Sequence, residues 1–475
     1  MRILFVTSEV AGVYKLGGLA DVSASLPVAL TQIGVDVDVA MPYYRDVHLD
    51  HPAKCIGQLA VSYDKKQESI FLFESKYDES QVRLILFRHP LLDIYHTEHI
   101  DDTFAFFAKA VATYALWSPR IANRNYDIVH CHDWHTALVP LLLGEDLKVR
   151  KVHIRPLQAG VTKSILTIHN ILYQGISGKS LINKIGSTPD RFHIRKENIN
   201  MLREGLEYAD MITTVSPTYA RELVTSTFGE GLESIFRRRK DRLHGILNGI
   251  DTRSWNPSSD TMLIHRYRPE NALAIRKENK RDLQKILKLP LRADTPFFAF
   301  IGRLETLQKG IGILMGALAG LLPRTSFQVV ILGTGEKHTE ERISALSRKH
   351  PANIAFRPAF DDKLARMIYA GTDIIVVPSK FEPCGLVQMI AMRYGAIPLV
   401  RKTGGLADTV VHKATGYVFD AYDKKSLASC IQEAISDYEK RQEMWQKTVR
   451  RIMRQDFSWK KSAQKYLNLY RKLVS

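Results

Sequence analysis

Two segments of the chain share one short pattern, a glycine pair followed by a helix-forming stretch. The first reads Lys-Leu-Gly-Gly-Leu-Ala-Asp at residues 15–21, and the second reads Thr-Gly-Gly-Leu-Ala-Asp at residues 403–408. Without Cβ atoms the backbone can approach an anion, and the following helix N-terminus supplies free N–H groups. Neither segment has dinucleotide-binding or P-loop spacing, so a tight turn with a solvated Lys15 is the alternative. Two such turns favour phosphate binding more than one does.

A second group of reactive side chains lies at residues 130–135, His-Cys-His-Asp-Trp-His. Clustered histidines suggest a metal, but no partner cluster completes a four-ligand site, so we predict no metal. Polar groups such as Asp133, at the carboxyl end of a buried strand, suit the hydroxyl groups of a sugar. His169 follows another strand and has the same placement, and a loop histidine bonded to the backbone is its structural alternative.

The second half of the chain carries two cations and a carboxylate in comparable positions. Arg303 follows a predicted strand and Lys309 precedes a predicted helix, so both could meet one diphosphate. Glu382 lies in Phe-Glu-Pro-Cys-Gly-Leu, residues 381–386, on a loop that the proline stiffens. Solvated cations and a simple helix cap are the structural alternatives.

The N-terminal half alternates predicted strands with predicted helices, which is typical of a parallel sheet. The strands are expected at residues 3–7, 35–41, 127–130, 165–168 and 211–215. The helices are expected at residues 20–33, with Pro27 inside, 102–117 and 135–143. Shorter alternating runs predict a β-rich insertion at residues 59–63, 69–73 and 82–87.

The same alternation restarts near residue 297. Strands are expected at residues 297–301, 328–332, 374–377 and 397–400, and helices at 311–322, 340–349, 361–369 and 385–394. The sequence therefore predicts an α/β protein with two doubly wound, Rossmann-like domains that face each other across a cleft.

The expected domain boundaries follow from these elements. Residues 1–250 form the first domain, the polar stretch 251–269 is a hinge that lets the halves close, and residues 270–456 form the second domain. Residues 457–475 have a helical apolar stripe, so we expect this C-terminal helix to pack back on the first domain.

Composition excludes several classes of protein. With 475 residues, 45% apolar and 25% charged, the chain is an ordinary globular one, long enough for two to four domains. Its four cysteines lie far apart and no apolar stretch approaches a membrane span, which predicts a cytoplasmic location without a membrane partner. Lys and Arg outnumber Asp and Glu by 67 to 50, but most are scattered, so we do not expect a nucleic-acid partner.

Taken together and in this order, the motifs resemble those of bacterial glycogen synthase and, more distantly, plant starch synthase. The resemblance runs from residue 1 to about residue 470 and includes the segments at 15–21, 132–135, 169–170, 248–251, 381–386 and 403–408. It implies a retaining α-1,4-glucosyltransferase of the GT-B fold. Such an enzyme would use ADP-glucose, extend the non-reducing end of an α-1,4-glucan primer, and need neither a cofactor nor a metal. Oligomeric state stays open.

The resemblance also implies roles for individual residues. Glu382 matches the essential carboxylate of the family, and Arg303 and Lys309 match the residues that hold the diphosphate. Lys15 and Gly18 would touch the donor, and Asp21 and Asn248 would line the nucleotide side. The residues implied around the glucose are His169, Cys384, Thr403, Gly404 and Gly405.

Two departures from the family pattern concern the nucleotide. Lys309 lies six positions after Arg303, where the family usually has five, so the loop between them must bulge. Phe360 stands where the family usually has a tyrosine near the base, and a ring without a hydroxyl can still stack.

Alternatives remain at this stage. A UDP-glucose-dependent GT-B transferase that makes sucrose, trehalose or a lipid-linked sugar is the enzymatic one. A non-catalytic glucan-binding relative would be expected to lack Glu382 or the glycine pairs, and all of these are present. The resemblance favours front-face transfer, in which a phosphate oxygen takes the acceptor's proton, over double displacement through Glu382.

Overall fold

The computed structural model describes residues 1–78, 80–95, 98–122, 124–149 and 162–475. The chain divides into two compact units. Unit 1 consists of Met1–Gly249 and Trp459–Ser475, and unit 2 consists of Ile250–Ser458.

Unit 1 is built on a sheet whose nine strands in the described residues run in the order β11-β10-β7-β6-β1-β2-β5-β4-β3. A separate two-stranded ribbon pairs β8 with β9. The strands are β1 (Arg2–Val6), β2 (Asp36–Pro42), β3 (Lys54–Tyr63), β4 (Lys66–Lys76), β5 (Arg83–Arg88), β6 (Ile128–His132), β7 (Lys163–Ile168), β8 (Ile176–Gly178), β9 (Asn198–Asn200), β10 (Met211–Thr214) and β11 (Leu243–Gly245).

The helices of unit 1 cover the faces of this sheet. They include α1 (Gly18–Thr31), α2 (Ile100–Ile121), α3 (Val139–Val149), α4 (Ser180–Lys184), α5 (Met201–Tyr208), α6 (Pro217–Leu223) and α7 (Glu233–Arg238). Strand β1 shows why helices are needed on both faces, since its residues from Ile3 to Val6 are all buried. Pro27 lies inside α1, which continues to Thr31.

The central strands β1, β6, β7 and β10 pair in parallel, so their carboxyl ends lie along one edge of the sheet. The first residues after or at these ends are polar and include Thr7, His132 and His169. The polar side chains of unit 1 that could bind a ligand therefore lie along this edge of the sheet.

The β-rich insertion expected in unit 1 is present as β3, β4 and β5. It extends the main sheet, because β5 pairs in parallel with β2, and β4 and β3 follow in antiparallel pairs. A second region differs from the sequence predictions. The helix expected from residue 135 is a 3₁₀ turn at Trp134–Thr136 followed by α3. Asp133 has φ 56°, and this tight turn separates the strand from the helix.

Unit 2 is a second parallel sheet of six strands in the order β14-β13-β12-β15-β16-β17. These are β12 (Phe297–Ile301), β13 (Gln328–Leu332), β14 (Ile354–Arg357), β15 (Ile374–Val377), β16 (Ile397–Arg401) and β17 (Tyr417–Phe419). Its helices are α8 (Ala272–Leu287), α9 (Ile311–Leu321), α10 (Lys337–Lys349), α11 (Asp362–Gly371), α12 (Val387–Arg393), α13 (Gly404–Thr409), α14 (Lys424–Lys440) and α15 (Gln442–Met453). Caps define several boundaries: Asp361 accepts the Leu364 N–H at the start of α11.

The last helix, α16 (Trp459–Val474), belongs to unit 1 and packs against α1. Its apolar stripe is buried in the core of that unit through Trp459, Ala463, Tyr466, Leu467 and Tyr470. No helix among the described residues is long and apolar enough to cross a membrane.

Candidate active site

The glycine-rich turn between β1 and α1 brings together three of the predicted donor contacts. Lys15 forms an ion pair with Asp21, with Nζ 2.6 Å from Oδ1. Gly17 is the N-cap of α1 in extended conformation, and Gly18 is the first helical residue. A Cβ added at Gly18 would have no neighbour within 4 Å, so space is open beside this residue.

A carboxylate that the sequence analysis did not single out holds this turn. Glu9 is buried, and its Oε2 accepts hydrogen bonds from the N–H groups of Leu16 and Gly17 at 2.5 and 2.9 Å. Burial raises the pKa of Glu9, although these two N–H donors oppose the shift. Glu9 therefore occupies two of the N–H groups that the glycine pattern offered to a phosphate. Its position just after a strand and before the glycine pair was the available signal.

Asp133 and His169 lie together at the ends of β6 and β7. Oδ1 of Asp133 accepts the backbone N–H of His169 at 2.7 Å and lies 3.4 Å from that of Asn170. Burial raises the pKa of Asp133 to about 7, while these N–H groups act in the opposite direction. Asp133 also has backbone angles of φ 56° and ψ −173°, a region that few residues other than glycine adopt. The carboxyl group is thus held in a strained turn beside His169.

The histidines of this edge are neutral at pH 7, with His130 and His132 buried and His169 partly buried. His132 and His169 share a hydrogen bond, with Nδ1 of His132 2.9 Å from Nε2 of His169. Burial lowers the pKa of both His130 and His169 to about 3. His130 bonds Tyr470 of α16 and Thr167 of β7, at 2.8 and 2.6 Å. The described residues contain no cluster of three or more His, Cys, Asp or Glu side chains arranged for a metal.

Asn248 lies near the end of Met1–Gly249, the longer of the two segments of unit 1. It is buried, and no hydrogen-bond partner reaches its Oδ1 within the part of the chain that the structure describes. A buried acceptor without a partner is rare and suits a ligand contact.

In unit 2 the predicted carboxylate and one predicted cation meet. Both carboxylate oxygens of Glu382 lie near Nζ of Lys309, at 3.1 and 2.8 Å. Ser379, which the sequence analysis did not single out, donates its hydroxyl to Oε2 of Glu382 at 2.9 Å. Glu382 is buried, and the N-cap of the following helix α12 is Leu386 rather than Glu382. The structure therefore contradicts the helix-cap alternative for Glu382.

The second glycine pair packs directly on the loop that carries Glu382. A Cβ at Gly404 would lie 2.0 Å from the carbonyl oxygen of Glu382, and one at Gly405 would lie 2.1 Å from that of Cys384. Gly404 also has φ 44°. Both positions require glycine because the two backbones touch. This contact brings Glu382, Cys384, Gly404, Gly405 and the preceding N-cap Thr403 into one cluster.

The extra residue between Arg303 and Lys309 is accommodated without displacing Lys309 from Glu382. The carbonyl of Gln308 accepts the N–H of Lys380 at 2.8 Å, which anchors the end of the loop. Leu307 instead projects outward, with 73% of its surface exposed. Arg303 pairs with Glu305 at 2.9 Å, so the two predicted diphosphate cations have different partners here.

Phe360 follows β14 in the chain. Its side chain is 89% exposed, which is unusual for a large apolar ring. Such a ring is available to stack on a planar group.

Comparisons with known proteins bear on this arrangement. The profile of the starch synthase catalytic domain matches residues 2–238, and that of glycosyl transferases group 1 matches residues 283–451. The glycogen synthase of Thermodesulfovibrio yellowstonii is 37% identical over 509 aligned residues, which cover 100% of this chain and 98% of the relative. The chain belongs to the glycogen synthase family. The family member from Syntrophotalea carbinolica is 39% identical over 494 residues, covering 100% and 99%.

A solved structure of a related enzyme confirms the fold class predicted for this chain. The catalytic domain of starch synthase IV from Arabidopsis thaliana, bound to ADP and acarbose, superposes with a TM-score of 0.88 and 32% identity. The match covers 100% of this chain and 99% of that one. Two Rossmann-like α/β domains of the GT-B type were predicted from the sequence, and this class is confirmed. As a member of the glycogen synthase family, the chain is a glycosyltransferase that transfers glucosyl groups in glycogen synthesis.

Proposed function

We propose that the chain transfers glucose from ADP-glucose to the non-reducing end of an α-1,4-glucan with retention of configuration. The observation that carries this proposal is the Glu382 cluster, in which a carboxylate, a lysine and a hydroxyl are held by a glycine pair. ADP is bound by the related starch synthase IV structure, which supports the adenine nucleotide as donor. The cytoplasmic location and the absence of membrane and nucleic-acid partners stay predictions.

The roles proposed for the cations follow from the charge that develops in the reaction. Breaking the bond between the anomeric carbon and the diphosphate oxygen leaves negative charge on ADP and positive charge on the sugar. Lys309 and Arg303 would stabilise the departing diphosphate, with Lys15 and the N–H of Gly18 as further donors. Fixed cations of this kind lower the barrier because they need no reorganisation during the step. Donor binding would release Lys15 from Asp21 and Arg303 from Glu305, while Lys309 would keep its contact with Glu382.

The proposed role of Glu382 is to stabilise the positively charged glucosyl group. Its oxygens accept hydrogen bonds from Lys309 and Ser379, which draws electron density away from them. A carboxylate engaged in this way is a weaker nucleophile than a free one. This supports front-face transfer, in which the acceptor hydroxyl attacks the anomeric carbon and passes its proton to a phosphate oxygen of the leaving ADP.

The remaining predicted residues are assigned by the same proposal to binding. His169, Asp133, Cys384, Thr403, Gly404 and Gly405 would surround the glucose, and Asp21, Asn248 and Phe360 would contact the nucleotide. The exposed ring of Phe360 would stack on the base without a hydroxyl contact.

Donor choice and metal dependence test the proposal together. Transfer of labelled glucose to glycogen is measured from ADP-glucose and from UDP-glucose, each with EDTA. We expect rapid transfer from ADP-glucose, slow transfer from UDP-glucose, and α-1,4 linkages in the product. Preference for UDP-glucose, or transfer only after magnesium or manganese is added, would contradict it.

A further inference from the structure

His132 contacts His169, which is proposed to bind the transferred glucose, but His132 itself has no role in the reaction described so far. It is the last residue of β6, and its backbone lies beside Thr167 of β7, two positions before His169 in the chain. The His132 side chain is fully buried, and its ring stacks on Phe5 with centroids 3.9 Å apart. The stacking fixes the plane of the His132 ring and therefore the direction of its nitrogen atoms.

The hydrogen bond between the two rings has two possible directions. Either Nδ1–H of His132 donates to Nε2 of His169, or Nε2–H of His169 donates to Nδ1 of His132. Each ring carries one proton, because burial lowers the pKa of both histidines far below neutral pH. The direction of this bond therefore decides which nitrogen of His169 carries its proton.

The second nitrogen of His132 discriminates between these directions. Nε2 of His132 is buried and has no hydrogen-bond partner in the described residues. If His169 donated, this nitrogen would carry a buried N–H without an acceptor, which is among the rarest features of native proteins. If His132 donates, the same nitrogen carries only a lone pair, which is better tolerated. The geometry thus favours His132 as the donor.

We propose that His132 is a positioning residue that fixes the proton of His169 on Nδ1. Nε2 of His169 is then occupied as an acceptor, and Nδ1 is left as an N–H donor. No protein acceptor for Nδ1 is found in the described part of the chain, so it is available to a ligand. Resting on the proposed function, this assigns His169 as a hydrogen-bond donor to a hydroxyl oxygen of the transferred glucose.

Ring-nitrogen NMR of the ¹⁵N-histidine-labelled full chain at pH 7.5 tests the tautomer directly. The His169 signals are assigned by their loss in His169→Gln. In the wild type we expect the proton on Nδ1. In His132→Leu, which has no donor, we expect a mixture or a proton on Nε2. His132→Asn places an amide donor near the former Nδ1 and should restore the Nδ1 proton.

Kinetics of the same variants separate positioning from folding. His132→Leu should lose about twofold to tenfold in kcat/KM for ADP-glucose, the value of one neutral hydrogen bond, and His132→Asn should recover most of it. ADP lacks the sugar, so its affinity should change less than about twofold. His244→Leu is the matched control, since His244 also has a buried, unpartnered Nε2 but lacks a bond to His169.

The outcomes distinguish this inference from the proposed function. A wild-type proton on Nε2 of His169 would overturn the inference, as would a His132→Leu variant that changes only the melting temperature and keeps the Nδ1 tautomer. If the wild type had the Nδ1 proton but transferred no glucose from ADP-glucose, the proposed function would fail and the tautomer assignment would stand.

Discussion

Glu382 and Lys309 form an ion pair in the candidate active site, and each is proposed to meet opposite charge in the reaction. Replacing Lys309 by Met removes the cation that faces the departing diphosphate. We predict that Lys309→Met lowers kcat by about a hundredfold to a thousandfold and donor affinity much less, because the lost contact strengthens as charge develops. The measurement is kcat and KM for ADP-glucose at saturating glycogen.

Lys380→Met is the matched control for this prediction. Lys380 is an exposed lysine two positions before Glu382. Its backbone N–H, and not its side chain, donates to the Gln308 carbonyl, so the substitution keeps this contact. It should keep near-normal turnover. Equal kcat values in Lys309→Met and Lys380→Met would show that the six-residue spacing has removed Lys309 from the diphosphate site.

Asp133 gives a prediction about pH and stability. Its pKa in the folded chain is about 7, against a usual value of 3.8. Between these values the folded chain binds more protons at Asp133 than the unfolded chain, so this residue lowers the free energy of unfolding as pH rises. Asp133→Asn removes this effect and keeps an oxygen for the His169 N–H. The melting temperature of Asp133→Asn minus that of the wild type should be larger at pH 8 than at pH 5, by about 2 °C or more.

Thermal unfolding of both proteins from pH 5 to pH 8 checks this. A difference in melting temperature that is independent of pH would mean that Asp133 stays ionised throughout the range. Transfer activity of Asp133→Asn at each pH separates the stability effect from a change in sugar binding.

Residues differ in how well the sequence identified them. Glu382 and Lys309, which meet in the structure, were singled out because their motifs are local and contain the side chains themselves. Glu9 and Ser379 were missed because their partners are two backbone N–H groups and one carboxylate, and these contacts exist only after strand, turn and helix have come together. The roles proposed for all of the site residues, Glu382 and Lys309 included, stay predictions.

At the scale of elements, the turn between β1 and α1 depends on Glu9. Glu9→Ala frees the Leu16 and Gly17 N–H groups, so the turn carrying Lys15 should lose order. We predict that this variant raises KM for ADP-glucose by about threefold to tenfold, the value of one to two hydrogen bonds, with a smaller change in kcat. Glu9→Gln keeps an accepting oxygen and should remain within about twofold of the wild type. Equal KM values for Glu9→Ala and the wild type would contradict a positioning role for Glu9.

Helix α16 contributes to the core of unit 1 rather than to chemistry. Its buried side chains include Tyr466 and Tyr470, and Tyr470 bonds the buried His130. Deleting residues 459–475 should abolish cooperative folding of unit 1, because the apolar surface of α1 and a buried histidine would lose their partners. Circular dichroism and thermal unfolding measure this, with removal of residues 474–475 as control. A deletion variant with the full-length melting temperature would refute it.

The sequence predicted most core strands because buried parallel strands are continuous apolar runs, as in β12 and β15. It predicted strands in the region of β3 to β5 but not their places in the sheet, since alternation shows a half-buried strand but not the strand it pairs with. The 3₁₀ turn after β6 was missed because the left-handed conformation of Asp133 is imposed by its tertiary contacts with residues 169 and 170.

At the scale of the whole molecule, each unit is a doubly wound α/β body with one glycine pair before a helix. In unit 1 this pair leads into α1 and is held by Glu9, and in unit 2 it leads into α13 and supports the Glu382 loop. The repeated pattern therefore has two different structural uses. The excess of positive charge, +17, is only partly accounted for by the three proposed diphosphate cations.

The most direct test of the account compares the wild type with Glu382→Gln in glucose transfer from ADP-glucose to glycogen. Gln keeps the shape of the side chain and removes the charge proposed to face the glucosyl cation. We predict a loss of about a hundredfold or more in kcat, with ADP affinity and melting temperature near those of the wild type. Near-normal turnover in Glu382→Gln would contradict the central claim that this carboxylate drives transfer.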